Sequence, residues 1–177
     1  MKQKLKLSKV YALLEPGPVV LVSTAYHGRE DIMTMSWHTM LEFDPPMVGC
    51  VISNQNFSFD LLKASKTCVI NIPTVTLAKK VVGCGNCSGA EVDKFEQFEL
   101  TRMAAELVDA PLIDECFANL ECRVVDSSLV SKYSFFILEV VKAWIDPTAS
   151  YPKTMHHQGF GQFMIAGKRI QLKSNMR

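Results

Sequence analysis

With 177 residues and a formal net charge of +1, the chain suits one domain, long enough to bury a core without disulfides or a structural metal. Its 19 Lys and Arg residues are scattered rather than gathered in a stripe, which excludes the electrostatic footprint of a nucleic-acid binder. From Met1-Lys2-Gln3-Lys4 to Leu13 and Leu14 no continuous apolar stretch develops, so neither a signal peptide nor a membrane span is expected, and the expected location is the cytoplasm.

In chain order, the apolar, β-branched run Val19 to Ala25 follows Pro16-Gly17-Pro18 and stops at His27-Gly28-Arg29-Glu30, which predicts a strand and its turn. Met33, Met35 and Trp37 then alternate with Thr34, Ser36 and His38, the period of a second strand with an apolar and a polar face. Pro45-Pro46 introduces a third strand from Met47 to Ile52, and after the polar Ser53-Asn54-Gln55-Asn56 a short helix through Leu61, Leu62 and Ala64 is capped by Asn56 or Ser58. Thr67 to Ile72 predicts a strand closed by Pro73, and Val75 to Val82 a helix ended by Gly83 and Gly85.

From Cys84 to Glu115 the periodicity is weak, which predicts loops and short helices. Strands resume at Phe117 to Val125 and at Tyr133 to Ala143, the latter apolar enough for burial on both faces in a barrel or an interface. Phe163-Met164-Ile165 and Ile170-Gln171-Leu172 flank Gly167 as a closing hairpin. Many strands, few helices and no regular alternation of the two predict a mainly antiparallel β-barrel in a single domain over residues 1–177.

A start of helix beside Ser58 is a plausible cradle for a phosphate, because helix-start N–H groups and the positive end of the dipole point at an anion. Spacing alone equally allows Asn56 and Ser58 to be helix caps, and Thr34, Ser36 and His38 to be a solvated strand face. Of the six cysteines, Cys50, Cys68 and Cys122 lie in apolar strand-like runs and suit buried thiols. Cys84-Gly-Asn-Cys87 has a spacing shared by redox dithiols and by half of a zinc site, yet no second pair of that spacing exists. His156 and His157 are adjacent, so their side chains point apart, and two ordinary thiols remain the simplest reading of the pair.

Several segments in order resemble the flavin reductase and flavoredoxin family: Gly28 through Trp37, Pro45-Pro46, Phe57-Ser58, Cys84-Gly85, and Ser88-Gly89-Ala90-Glu91-Val92-Asp93-Lys94-Phe95. Ala110-Pro111, Leu120-Glu121-Cys122 and Tyr133 to Ala143 extend the likeness. The resemblance implies an FMN-binding split β-barrel, Greek-key-like and antiparallel with a few short helices, assembled as a homodimer with a flavin near the subunit interface. It assigns flavin contacts to Thr34, Met35, Ser36 and Trp37 of the second strand, and to Ser53 and Asn54 along the ring. Phe57 and Ser58 fall at the ribityl and phosphate end, with Lys94 as the cation. Asp31 belongs to the same segment, where the family commonly has Asn; it cannot donate an amide hydrogen bond, and its carboxylate repels a phosphate. Tyr133 and Phe160 are aromatics able to cover a flavin ring.

The activity implied is transfer of a hydride from NADH or NADPH to FMN and of electrons onward to an acceptor, with no side chain needed as acid, base or metal ligand. No Gly-rich dinucleotide fingerprint follows a strand, so a nicotinamide would bind transiently against the flavin. That absence suits equally an electron carrier of the flavoredoxin kind, whose bound FMN is reduced by a redox partner protein. A barrel holding another ligand, such as haem, or serving only as an interaction module is a third reading.

Overall fold

The computed structural model describes residues 17–149 and 151–173, so the expectation drawn from Met1 to Leu14 lies outside the described residues. Strand β1 (Val20–Tyr26) turns at His27 and Gly28, both at positive φ as a two-residue hairpin requires, into β2 (Arg29–Met35). β3 (His38–Phe43) pairs with β4 (Pro46–Val51), and helix α1 (Phe57–Ser65) leads to β5 (Thr67–Ile72). A 3₁₀ turn (Val75–Leu77) runs into α2 (Ala78–Asn86), followed by α3 (Lys94–Gln97) and the short pair β6 (Arg102–Met103) and β7 (Leu112–Ile113). After β8 (Ala118–Asp126), the one-turn helix α4 (Val130–Tyr133) and β9 (Phe135–Ile145), a hairpin of β10 (Met155–His157) and β11 (Phe163–Ile165) follows.

Seven strands form one sheet in the order β2-β1-β5-β8-β9-β4-β3, all pairs antiparallel. β2 and β3 are its two edges, yet only Ser36 and Trp37 separate them in sequence. Two residues cannot cross a flat seven-stranded sheet, whose strands stand about 4.8 Å apart, so the sheet curls until its edges meet. The result is a barrel split between β2 and β3, pinned where the His38 Nε2 donates to the Pro18 carbonyl at 2.7 Å, just ahead of β1. Among the described residues no helix is long and apolar enough to cross a membrane.

The first hairpin is buried on both faces, which explains its unbroken apolar run. Val20, Val22, Met33 and Met35 point into the barrel with Cys50, Leu138 and others, where Phe59 and Leu62 of α1 plug it. Val19, Leu21 and Ile32 point outward into a second core under α2 and α3, with Val81, Cys84 and Phe95.

Four sequence expectations are corrected. β2 stops at Met35, and Trp37 is 56% exposed instead of continuing the apolar face, because its carbonyl already accepts the Val51 N–H of β4, the strand next to the opposite edge. α2 runs through Gly83 and Gly85; a Cβ at Gly83 would strike the Phe98 ring and one at Gly85 would crowd Thr34, so these glycines permit close packing rather than end the helix. The strand expected from Tyr133, β9, begins at Phe135, with only Phe136 and Leu138 fully buried and its other face half-covered, while Tyr133 belongs to α4. Finally, Phe163–Ile165 pairs with Met155–His157, not with Ile170–Leu172, because Gly159, Phe160 and Gly161 take the positive φ of the turn.

Candidate functional site

A groove straddles the edge strand β2. One part, a cleft of about 280 Å³, is lined by Asp31 and Met33 on one side of the strand, by Gln55, Asn56 and Phe57 at the start of α1, and by Lys94. The other, about 330 Å³, is lined by Thr34 and Ser36 together with His157 and Phe163 of the terminal hairpin. Gly85 and Asn86 at the end of α2 line both and join them. The combined space falls in the range of small-molecule sites, roughly 300–1,000 Å³. A third cleft of about 330 Å³ adjoins it past Phe57, whose ring carries the Arg29 guanidinium at 4.6 Å.

The floor of the first cleft is a buried polar cluster centred on Asp31. Ser58, the second residue of α1, is wholly buried and donates its hydroxyl to Oδ2 of Asp31. Lys94 Nζ lies 3.1 Å from Oδ1 of Asp31 and donates to the Ile32 carbonyl at 2.6 Å. The aim of Lys94 is set by Asp93, which caps α3 by accepting the Phe95 and Glu96 N–H groups at 2.9 and 3.2 Å. A Cβ at Gly89 would collide with the Asp31 carboxylate, so the Ser88-Gly89 backbone closes directly over it. Ser58 therefore caps nothing, and Asn56, whose backbone is at the cap position, makes no side-chain cap either. The hydroxyl and the ammonium expected to face a phosphate are both turned onto Asp31.

The structure brings Asp31, Thr34, Ser36, Phe57 and Lys94 together on the groove, with Ser58 directly beneath. Thr34 is fixed by donating to the Val81 carbonyl at 2.6 Å. Met35 lines neither cleft: although it shares a face of β2 with Asp31 and Met33, its side chain is buried in the barrel core. Ser53 acts on the groove through its loop, its Oγ accepting from Gln55 N at 3.2 Å and its carbonyl from Asn56 N at 3.0 Å, while Asn54 is exposed beside it. Trp37 and Tyr133 collect at the exit of β4, where Val51 N–H donates to the Trp37 carbonyl and Ile52 N–H to that of Ser134. Phe160, 89% exposed at the tip of the terminal hairpin, lines neither cleft. Sequence reasoning left out Gln55, Asn86, Ser88, His157 and Phe163; only the glycine-punctuated Cys84 to Gly89 segment carried a readable signal, that of a backbone approaching a ligand.

Cys84 and Cys87 are free thiols. Cys84 is buried, and that burial pushes its thiol up to about 12. Cys87 lines the groove and donates weakly to the Gly83 carbonyl at 3.5 Å. Among the described residues no cluster of three potential metal ligands occurs.

A split antiparallel barrel whose edge strand, first helix start and α2 terminus enclose a ligand-sized groove defines a class of small-molecule-binding β-proteins. The chain belongs to the flavin reductase-like family, whose domain matches residues 13–163. An uncharacterised protein of Archaeoglobus fulgidus is 33% identical over 141 residues, covering 76% of this chain and 79% of that one. Among solved structures, an FMN-binding domain of a flavin reductase-like enzyme from Shewanella baltica superposes with a TM-score of 0.82 at 26% identity, covering 96% of both chains. Flavoredoxin of Desulfovibrio vulgaris shares the fold with a TM-score of 0.87 at 21% identity, over 99% of this chain and 98% of that one.

Proposed function

We propose that the chain binds FMN in the groove across β2 and acts, as a homodimer, as an NAD(P)H:flavin oxidoreductase. The observation that carries this reading is the groove itself, at ligand size, in a chain whose relative from Shewanella baltica is described as FMN-binding. Its donors suit a flavin: Ser36 and Asn86 for the polar edge of a ring, Gln55, Asn56 and Ser88 for a ribityl chain, and the α1 N–H groups that have no intrahelical partner. Gly85 and Gly89 let backbone approach where a Cβ would crowd Thr34 or Asp31. When bound, FMN supplies hydride acceptance and electron release.

The chain's own residues bind and orient. Thr34 and Ser36 line the ring portion, Ser53 and Asn54 shape the loop that presents Gln55 and Asn56, and Phe57 stands at the ribityl and phosphate end. Lys94 and Ser58 act through Asp31. Trp37, Tyr133 and Phe160, which line neither cleft, would cover the ring from outside it, and Met35 would support β2 from the barrel core. The edge strand β3, with Met40, Leu41 and Phe43 exposed, supports pairing with a second copy. The cytoplasm, which holds the reduced nicotinamide pool, is the location this activity requires.

Anaerobic mixing of the FMN-loaded protein with NADH and with NADPH tests the reading: bleaching of the flavin by one of them is expected, and no bleaching by either overturns nicotinamide oxidation. The fold shared with flavoredoxin favours a second reading, an electron carrier reduced by a protein partner. Rapid steady-state oxidation of nicotinamide with added free flavin supports the reductase; full flavin occupancy without such turnover supports the carrier. Sedimentation showing a monomer at micromolar concentration overturns the dimer.

A further inference from the structure

We propose that the groove accepts riboflavin nearly as well as FMN, because Asp31 occupies the two groups that would otherwise recognise a phosphate; this rests on the flavin reading above. Lys94 is the cation lining the groove, and it is 3.1 Å from the Asp31 carboxylate and bonded to the Ile32 carbonyl. The Ser58 hydroxyl is donated to the same carboxylate. Both side chains are almost wholly removed from water, and Asp31 is held from above by Gly89. A phosphate would have to displace a buried anion from its partners to use either.

The charge count points the same way. Asp31 and Glu91 oppose Lys94 along the first cleft, a formal excess of one negative charge. The adjoining cleft offers no relief: Glu91 is shared with the first, and there Arg29 and Arg102 are balanced by Glu30 and Asp93. Arg102 is moreover already engaged by Glu30 and Asp93, at 2.8 and 2.5 Å. A flavin phosphate brings about −1.5 to −2 charges at neutral pH. The start of α1 returns only about half a positive charge. Attraction and repulsion at the phosphate end therefore nearly cancel, leaving ring and ribityl contacts, common to both flavins, to set affinity. Asp31 is thus a specificity-determining residue, and the substrate class is flavins with or without the phosphate.

Fluorescence titration of the full chain with FMN and with riboflavin tests this. Dissociation constants within about tenfold of each other are expected for the wild type, less than the worth of one charge-assisted hydrogen bond. Asp31→Asn frees Lys94 and Ser58, so the ratio of riboflavin to FMN dissociation constants should rise about tenfold or more in favour of FMN, and that gain should shrink at high salt. Glu91→Gln, at the exposed rim, should shift the ratio the same way by about twofold, and it carries the test if Asp31→Asn fails to fold. Wild-type binding of FMN more than about 100-fold tighter than riboflavin, or equal losses of both flavins in a folded Asp31→Asn protein, overturns the proposal. If neither flavin binds the wild type, it is the flavin reading itself that falls, and this inference with it.

Discussion

Two buried polar clusters stitch this barrel together, and they differ in charge and in what lies above them. At the first, Asn71 of β5 donates to the Leu21 carbonyl and the Ser23 hydroxyl at 3.1 and 3.0 Å, and its Oδ1 accepts from Ile113 N–H and Asn119 at 3.0 and 2.8 Å. The Ser23 hydroxyl in turn donates a hydrogen bond to the Pro111 carbonyl. Every member is neutral, and the cluster lines none of the three clefts around β2. At the second, Asp31, Lys94 and Ser58 are equally dry but carry a full ion pair at the floor of the groove. A neutral amide network fixes the path of a loop at little desolvation cost, whereas a buried ion pair roughly breaks even against apolar packing. The second cluster is therefore poorly explained by stability alone, and its place under a groove gives it a role in what the groove accepts.

Removing Asp31 gives the largest expected effect. Asp31→Ala leaves the Lys94 ammonium buried without a counter-charge, and a loss of about 3–5 kcal/mol in urea unfolding is expected, with an unchanged denaturant slope. Replacing both charges, as in Asp31→Leu with Lys94→Met, should recover at least half of that loss. A double variant no more stable than Asp31→Ala would show that the geometry of the cluster, rather than its charge, is what matters, and the comparison with Asn71 would collapse.

Next comes Asn71→Ala, which strands the Ile113 N–H and part of the Asn119 amide away from water. About 2–3 kcal/mol is expected, measured in the same way. Flavin affinity should not change, since Asn71 lines no part of the groove. A change in FMN binding larger than about twofold would mean that the two clusters are coupled through β1 and β2.

A smaller, pH-dependent effect belongs to Glu121 of β8. Burial by itself pushes this carboxyl up, but the Glu106 N–H, the Trp144 indole and the Leu107 N–H all donate to it and together hold it below its ordinary value. A folded pKa lowered in this way stabilises the protein above the unfolded value, ordinarily about 4.3, and that contribution drains away as pH falls through the lowered one. Glu121→Gln should cost about 1–2 kcal/mol at pH 7 and progressively less toward pH 3. An equal cost at both pH values would assign the effect to packing.

The contrast between the clusters also explains what could be read from the sequence. β1, β4, β5, β8 and α1 were legible because each carries its own period and punctuation, as in Thr67 to Ile72 closed by Pro73. β3 was not, since its apolar Met40, Leu41 and Phe43 keep no regular period of two, its register shifting between Met40 and Glu42, and its strand identity comes only from pairing with β4. The extent of α2 was misread because Gly83 and Gly85 serve contacts with Phe98 and Thr34, residues distant in sequence. In the site, Asp31, Thr34, Ser36, Phe57 and Lys94 were legible through family resemblance, but that Ser58 and Lys94 serve Asp31 was not. Ser58 and Asp31 are 27 residues apart, and nothing local marks them as partners.

The smallest expected effect sharpens the comparison from outside. Arg102 gathers three carboxylates, Glu30 at 2.8 Å, Asp93 at 2.5 Å and Glu96 at 3.3 Å, and covers the Phe95 ring at 4.2 Å, so by contact count it outranks Lys94. Its side chain, however, is 34% exposed, and water screens each of these pairs. Exposed ion pairs contribute about 0–1 kcal/mol and a cation–π contact at such a site about 0.5–1 kcal/mol. Arg102→Met keeps the stem over Phe95 and removes the charge, so a loss under about 1 kcal/mol is expected, shrinking further in 1 M salt. The Asp31→Ala loss, by contrast, should be nearly independent of salt, because its partner is out of reach of counter-ions. If Arg102→Met proves as costly as Asp31→Ala and as insensitive to salt, burial is not what separates the two ion-pair sites, and the Arg102 network must then be counted with the groove rather than with the surface.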